Sequence, residues 1–165
     1  MIKTVLSFPV KEDKILLAVK KKKIGKGLFN GYGGGIEEGE TPRQAALREL
    51  KEESCIKVTD ASILKKVAMI DFHNMQVDGS ILIYRVHVFF LYQWQGEFQS
   101  TEEMDRPTWF FKKELPFSKM MAADKEWLPI VLSGVQIIGK ATYAPFQEYL
   151  IGKMEIKEVK RKSGG

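Results

Sequence analysis

The chain is predicted to be an α/β protein, a mixed β-sheet packed between helices. Three observations predict it. Residues 4–10, 15–19, 63–71, 81–94 and 108–111 are rich in apolar, aromatic and β-branched side chains and are bounded by polar turns, as strands are. Thr41 and Gln44 have the spacing of a capping box, with Pro42 at the first helical position, where its missing N–H costs nothing. A second helix is expected to begin near Ala122 and to run through Trp127, Leu128, Ile130, Val131 and Leu132, with Pro129 either kinking it or marking a later start.

Taken in order, the first strand ends at the polar Lys11-Glu12-Asp13-Lys14, and the second leads into Lys20, Lys21, Lys22 and Lys23 before the turn Gly25-Lys26-Gly27. One of these lysines is expected to reach an anionic ligand and the others to be solvated. Gly31, Gly33, Gly34 and Gly35 then form a glycine-rich turn, permissive of close backbone approach. On the helix opened by Thr41, about 100° per residue puts Ala46, Leu47 and Leu50 on a core-facing side and Glu49, Glu52 and Glu53 on an adjoining acidic arc. Cys55 stands where the helix ends. A left-handed conformation there would cost roughly 1–2 kcal/mol, and the thiol is read as a packing residue, since no neighbour would activate it. Asp78-Gly79 suggests a hairpin between the strands on either side. His87 is expected to pack in a strand, and His73 to line a pocket or face solvent.

The 165 residues suffice for one cored domain, placed at 1–156, with a basic, flexible tail at 157–165. A single cysteine excludes an internal disulfide and favours a reducing compartment. No segment approaches membrane-spanning length. A cytoplasmic monomer with no membrane association and no stable nucleic acid partner is expected, and its formal charge of +5 suits an anionic ligand.

The acidic arc carries the chemistry. Two carboxylates about 6 Å apart repel by roughly 3 kcal/mol at an effective dielectric near 20, and by well under 1 kcal/mol in water. On an open surface the cluster is an ordinary charged face. In a cleft, either a cation neutralises it or a proton stays on one acid. All-oxygen ligands favour magnesium, with manganese as a substitute, and magnesium commonly bridges carboxylates to substrate phosphates. Arg48 can pair with Glu52 one turn on, and Glu40, just before the cap, can interact with the positive helix end. A backbone carbonyl of the glycine turn, at Gly33, is a further candidate ligand.

The run from Gly34 through Glu40, Arg48, Glu49, Leu50, Glu52 and Glu53 to Ile56 resembles the box of the Nudix family, Gly-x5-Glu-x7-Arg-Glu-apolar-x-Glu-Glu-x-Gly-apolar, with Cys55 in place of the second glycine. Beyond the box the chain is similar to the animal 8-oxo-dGTP diphosphatases in Phe29-Asn30-Gly31-Tyr32, Val86-His87-Val88-Phe89, Glu102-Glu103-Met104, Arg106-Pro107, Trp109-Phe110, Leu115-Pro116-Phe117, Met120, Asp124 and Trp127. The resemblance implies an α/β/α sandwich. It also implies hydrolysis of oxidised purine nucleoside triphosphates, of the 8-oxo-dGTP and 2-oxo-dATP type, by metal-activated water, giving monophosphate and diphosphate. It makes Glu49, Glu52, Glu53 and, from a distant loop, Glu103 the metal ligands. Arg48 joins them in the catalytic set, and either Glu49 or Glu53 is the base. For the nucleobase it carries over Asn30, Asp124, Phe72, Met104 and Trp127, with Thr4 and Lys20 nearby. Three positions depart from the pattern. Ala123 precedes Asp124 where two aspartates are paired, Met121 replaces a stacking tryptophan, and Asn74 replaces a pocket phenylalanine. Hydrolysis of another nucleotide, whether an unmodified or methylated dNTP or a nucleotide sugar, is the near alternative. A silent nucleotide- or RNA-binding module using Phe29, Tyr32 and Trp127 for stacking is the more distant one.

Overall fold

The computed structural model describes residues 1–160. Its strands are β1 (Ile2–Lys11), β2 (Lys14–Lys20), β3 (Phe29–Asn30), β4 (Tyr32–Gly35), β5 (Lys65–Met75), β6 (Ile81–Leu91), β7 (Met104–Phe111), β8 (Ile137–Tyr143) and β9 (Glu155–Glu158). Two α-helices, α1 (Pro42–Ser54) and α2 (Asp124–Leu132), complete the frame. The strand order is β3-β2-β1-β6-β5-β8-β9, with β4 also paired to β1 and β7 to β2. The sheet is mixed: β1 runs parallel to β6 and β5 parallel to β8, while the β5–β6 hairpin is antiparallel.

Alternation along the strands divides the core between two faces, because successive side chains point to opposite sides of a sheet. Ile15 and Leu17 of β2 and Val88 and Phe90 of β6 join α2's Trp127, Leu128 and Val131. The intervening Leu16, Ala18, Phe89 and Leu91 join α1's Ala45, Ala46 and Leu50. Each helix therefore covers its own face, which is the expected sandwich.

Several expectations need correction. The glycine-rich segment is a strand, not a turn: Tyr32, Gly33, Gly34 and Gly35 pair with Ser7, Leu6, Val5 and Thr4. A Cβ on Gly33 would collide with the Val5 carbonyl, so the glycine serves close approach, not an unusual φ. The segment expected at 63–71 begins at Lys65, after a 3-10 turn over Ala61–Ile63, and continues to Met75. β6 stops at Leu91, short of Trp94, and β7 begins four residues early at Met104. Helix α2 starts at Asp124 and carries Pro129 inside it. The proposed tail boundary also moves, since Lys157 and Glu158 pair with Ile138 and Ile137, and Val159 N–H donates to the Gln136 carbonyl at 2.8 Å. Only part of the expected tail, 161–165, lies outside the described residues. Among those described, no helix is long and apolar enough to cross a membrane.

Candidate active site

Helix α1 opens as its sequence demands: Gln44 N–H donates to Thr41 Oγ1 at 3.1 Å and Thr41 N–H to Gln44 Oε1 at 2.9 Å. It closes on Cys55, at φ 67°, in the left-handed region that glycine ordinarily fills. The thiol is exposed, so the expectation of a packing residue fails; only the backbone of Cys55 is held, by an N–H bond to the Lys51 carbonyl.

Between these ends Arg48 is a hub. Its Nε and Nη2 donate to the two oxygens of Glu40 at 2.8 and 2.9 Å, Nη1 to Glu49 Oε1 at 2.8 Å, and Nη2 to the Gly35 carbonyl at 2.9 Å. The expected partner, Glu52, is a longer contact at 3.5 Å, and Glu37 a longer one still at 3.7 Å. Glu40 thus acts through Arg48 and the Glu37 N–H, which hold its carboxyl down to about 2, and not through the helix end.

Glu53, one turn past Glu49, is 5% exposed and accepts the Gly33 N–H at 2.7 Å. Burial, followed by the charge of Glu49, pushes its carboxyl up to about 8. Burial raises Glu49 too, against the opposing pull of Arg48. A residue the sequence reading passed over completes the arrangement. Thr101 Oγ1 donates to the Glu53 carbonyl at 2.9 Å and accepts the N–H groups of Glu103 and Met104, so it pins the Glu103 loop to the end of α1. Its position beside Glu102-Glu103 was the one available signal.

These donors fit a hard divalent cation. Glu49 and Glu53 are two largely buried carboxyl groups raised first by burial, and the negative charge of neighbouring carboxylates, Glu103 among them, adds to the shift of both. As arranged among the described residues, no three acidic, histidine or cysteine side chains stand close enough to form a finished metal cage. Glu52 and Glu103, with side chains 57% and 45% exposed, have room to turn inward. For Gly33, the contact present is its N–H on Glu53 and not a carbonyl ligand.

Beside the carboxylates lies a cavity of about 600 Å³. Its lining includes Thr4, Lys20, Asn30, Gly33, Glu53, Phe72, Met104, Met121, Asp124 and Trp127. The predicted substrate-binding residues, from strands and a helix far apart in sequence, thus face one space. Arg48, Glu49, Glu52 and Glu103 stand outside that lining. Asn74, Tyr84 and Tyr143 also line it. His73 does not, and His87 lies half-buried in β6 with its pKa lowered by burial.

Two charged walls of the cavity are perturbed. Burial lowers Lys20 despite the attraction of Glu53. Asp124, the first residue of α2, is 5% exposed; its Oδ1 accepts the Trp127 Nε1–H at 3.1 Å, while Oδ2 has no partner among the described residues. Burial raises this carboxyl to about 7. Ala123 offers its N–H to the Tyr143 hydroxyl at 2.9 Å. Asn30 turns its Oδ1 to the Gly31 N–H at 2.8 Å, leaving its amide nitrogen for other partners.

The sequence model of the NUDIX domain matches residues 3–130. The chain belongs to the Nudix family. It is a Nudix hydrolase, and Nudix hydrolases generally need divalent cations. It is 38% identical to an oxidized purine nucleoside triphosphate hydrolase from Danio rerio over 138 residues, covering 84% of this chain and 82% of that one. Its identity to the Mus musculus enzyme of the same name is 37% over 127 residues, 77% of each. A MutT protein structure from Bacillus halodurans superposes with a TM-score of 0.75, covering 94% of this chain and 97% of the other at 24% identity, which speaks for a shared Nudix fold.

Proposed function

We propose that this Nudix hydrolase converts oxidised purine nucleoside triphosphates, of the 8-oxo-dGTP and 2-oxo-dATP type, to monophosphate and diphosphate with magnesium, and so clears them from the nucleotide pool. The observation that carries the reading is one cavity whose lining holds two buried carboxyl groups from different elements, Glu53 and Asp124. The names of the Danio rerio and Mus musculus relatives support the same substrate class.

Magnesium, held by Glu49 and Glu53 with Glu52 and Glu103 turning in, would neutralise phosphate charge and lower the pKa of the attacking water. Glu49 or Glu53, whichever keeps an oxygen free of the cation, is the base in this reading; Gly33 engages Oε1 of Glu53 and Arg48 engages Oε1 of Glu49. The base takes the proton as water oxygen attacks the α-phosphorus and the α–β anhydride bond breaks, diphosphate leaving with the bridging oxygen. Arg48 orients Glu49 as a ligand through Nη1 and is itself anchored by Glu40. Lys20, beside Glu53 in the lining, faces the substrate's anionic groups. Asp124 and Asn30 hydrogen-bond the base, and Phe72, Met104, Met121 and Trp127 form its apolar walls. The protein acts as a cytoplasmic monomer on free nucleotides.

Met121, Ala123 and Asn74 favour testing a second reading, hydrolysis of another nucleotide. Steady-state kinetics on 8-oxo-dGTP, 2-oxo-dATP, dGTP, dATP, dCTP and a nucleotide sugar separate the two. An oxidised purine should exceed its unmodified parent in kcat/KM by at least tenfold, on the order of one lost buried hydrogen bond. No advantage for either oxidised purine would end the sanitising reading.

A further inference from the structure

We propose that Asn74 is a specificity-determining residue, its amide reading the edge of the nucleobase alongside Asp124. The inference rests on the base-binding part of the function proposed above. Asn74 is 4% exposed, lines the cavity, and has an Oδ1 without a hydrogen-bond partner among the described residues. Buried polar groups are almost always paired, so an orphan in a ligand-sized cavity asks for a ligand. Here there are two orphans on different elements, since Asp124 Oδ2 on α2 is also buried and unpartnered in the same lining.

The surroundings make a packing role a poor explanation for an amide. Asn74 stands two residues beyond Phe72 on β5, on the same face, and opposite Tyr143 of β8. The rings of Phe72 and Tyr143 stack with centroids 6.0 Å apart. An apolar side chain would continue this wall, whereas an amide left unpaired there costs free energy that a bound partner would return.

Position selects the part of the substrate that is read. Three strand steps, β4 to β1 to β6 to β5, separate Asn74's strand from Gly33, the partner of Glu53. At roughly 4.8 Å per step that is about 14 Å across the sheet, and Asn74 also lies six residues further along β5 than Ala68, which the pairings Gly33–Leu6, Leu6–Val88 and Val88–Ala68 set level with Gly33. With phosphates at the Glu53 end, the base reaches the Asn74 end. An amide offers a donor and an acceptor together. With Asp124 it suits a purine edge bearing a ring N–H next to an exocyclic amino or oxo group.

Asn74→Leu keeps the branched shape and removes the hydrogen-bonding atoms, and Asn74→Ala removes both. Both variants are to be assayed over the nucleotide panel, with thermal unfolding of each unliganded protein. For the best purine triphosphate, kcat/KM is expected to fall tenfold or more, mainly through KM, and for the poorest substrate by less than threefold. The unliganded Tm of Asn74→Leu should equal or exceed the parent's, since a residue needed for the fold would lower it. If the parent shows base preference and both variants keep it within twofold, the role of Asn74 is refuted and the proposed function stands. A parent with no base preference refutes both. Failure of both variants to fold would make Asn74 structural and overturn the inference.

Discussion

Cation binding by this enzyme should be steeply pH-dependent below pH 8. Without a cation, the Glu53 carboxyl is raised by burial and by Glu49 to about 8, so near pH 7 a cation must displace its proton. The apparent affinity then scales with the ionised fraction. From pH 6 to 7 it should rise about ninefold, and from pH 8 to 9 by less than about twofold. Proton release should be roughly 0.9 per cation at pH 7 and about 0.5 at pH 8. Titration calorimetry with magnesium or manganese alone, in buffers of different ionisation enthalpy, measures both. The same shift governs folding. A carboxyl whose folded pKa lies above its usual 4.5 stabilises the fold below that pH and loses the contribution as pH rises toward about 8. The unliganded protein should therefore weaken across this window, and Glu53→Gln should weaken less while losing orders of magnitude in kcat. An affinity that changes by less than twofold from pH 6 to 7, with no proton released, would refute the argument.

Three further outcomes are expected. Arg48→Lys should lower kcat at least tenfold with little loss of stability in urea, because a point charge cannot reproduce the fork that grips Glu40, Glu49 and the Gly35 carbonyl together. Asp124→Asn should blunt discrimination among bases more than it slows triphosphate hydrolysis in general. Because burial raises Asp124 from 3.8 to about 7, urea denaturation at several pH values should show the variant gaining on the parent by up to roughly 1.4 kcal/mol per pH unit between about 4 and 7. Cys55→Gly should stabilise the protein by about 1 kcal/mol in the same assay, by relieving the left-handed backbone at φ 67°.

What the sequence determined by itself was whatever depends on neighbours along the chain. The capping box at Thr41 and Gln44, the acidic arc and the β5–β6 hairpin all follow from spacing and turn residues, and all are present. Local pattern failed where a partner strand supplies the reason for a conformation. Tyr32 to Gly35 read as a turn because nothing nearby reveals that β1 will lie against it, close enough that Gly33 admits no side chain. β8 and β9 went unread for the same reason, as their residues pair with distant β5 and with each other.

The site divides along the same line. Glu49, Glu52 and Glu53 share a helix, so composition and period sufficed to group them. Which one is buried, and hence which carboxyl is raised to about 8, depends on what folds over the helix: Gly33 from β4 and the loop that Thr101 ties down. Asn74 and Asp124 are fifty residues apart in the chain, and only packing α2 against the sheet sets their unpaired oxygens in the lining of one cavity. Hydrogen-bonding capacity is written residue by residue; whether a partner is left for it is decided by burial, which belongs to the folded chain alone.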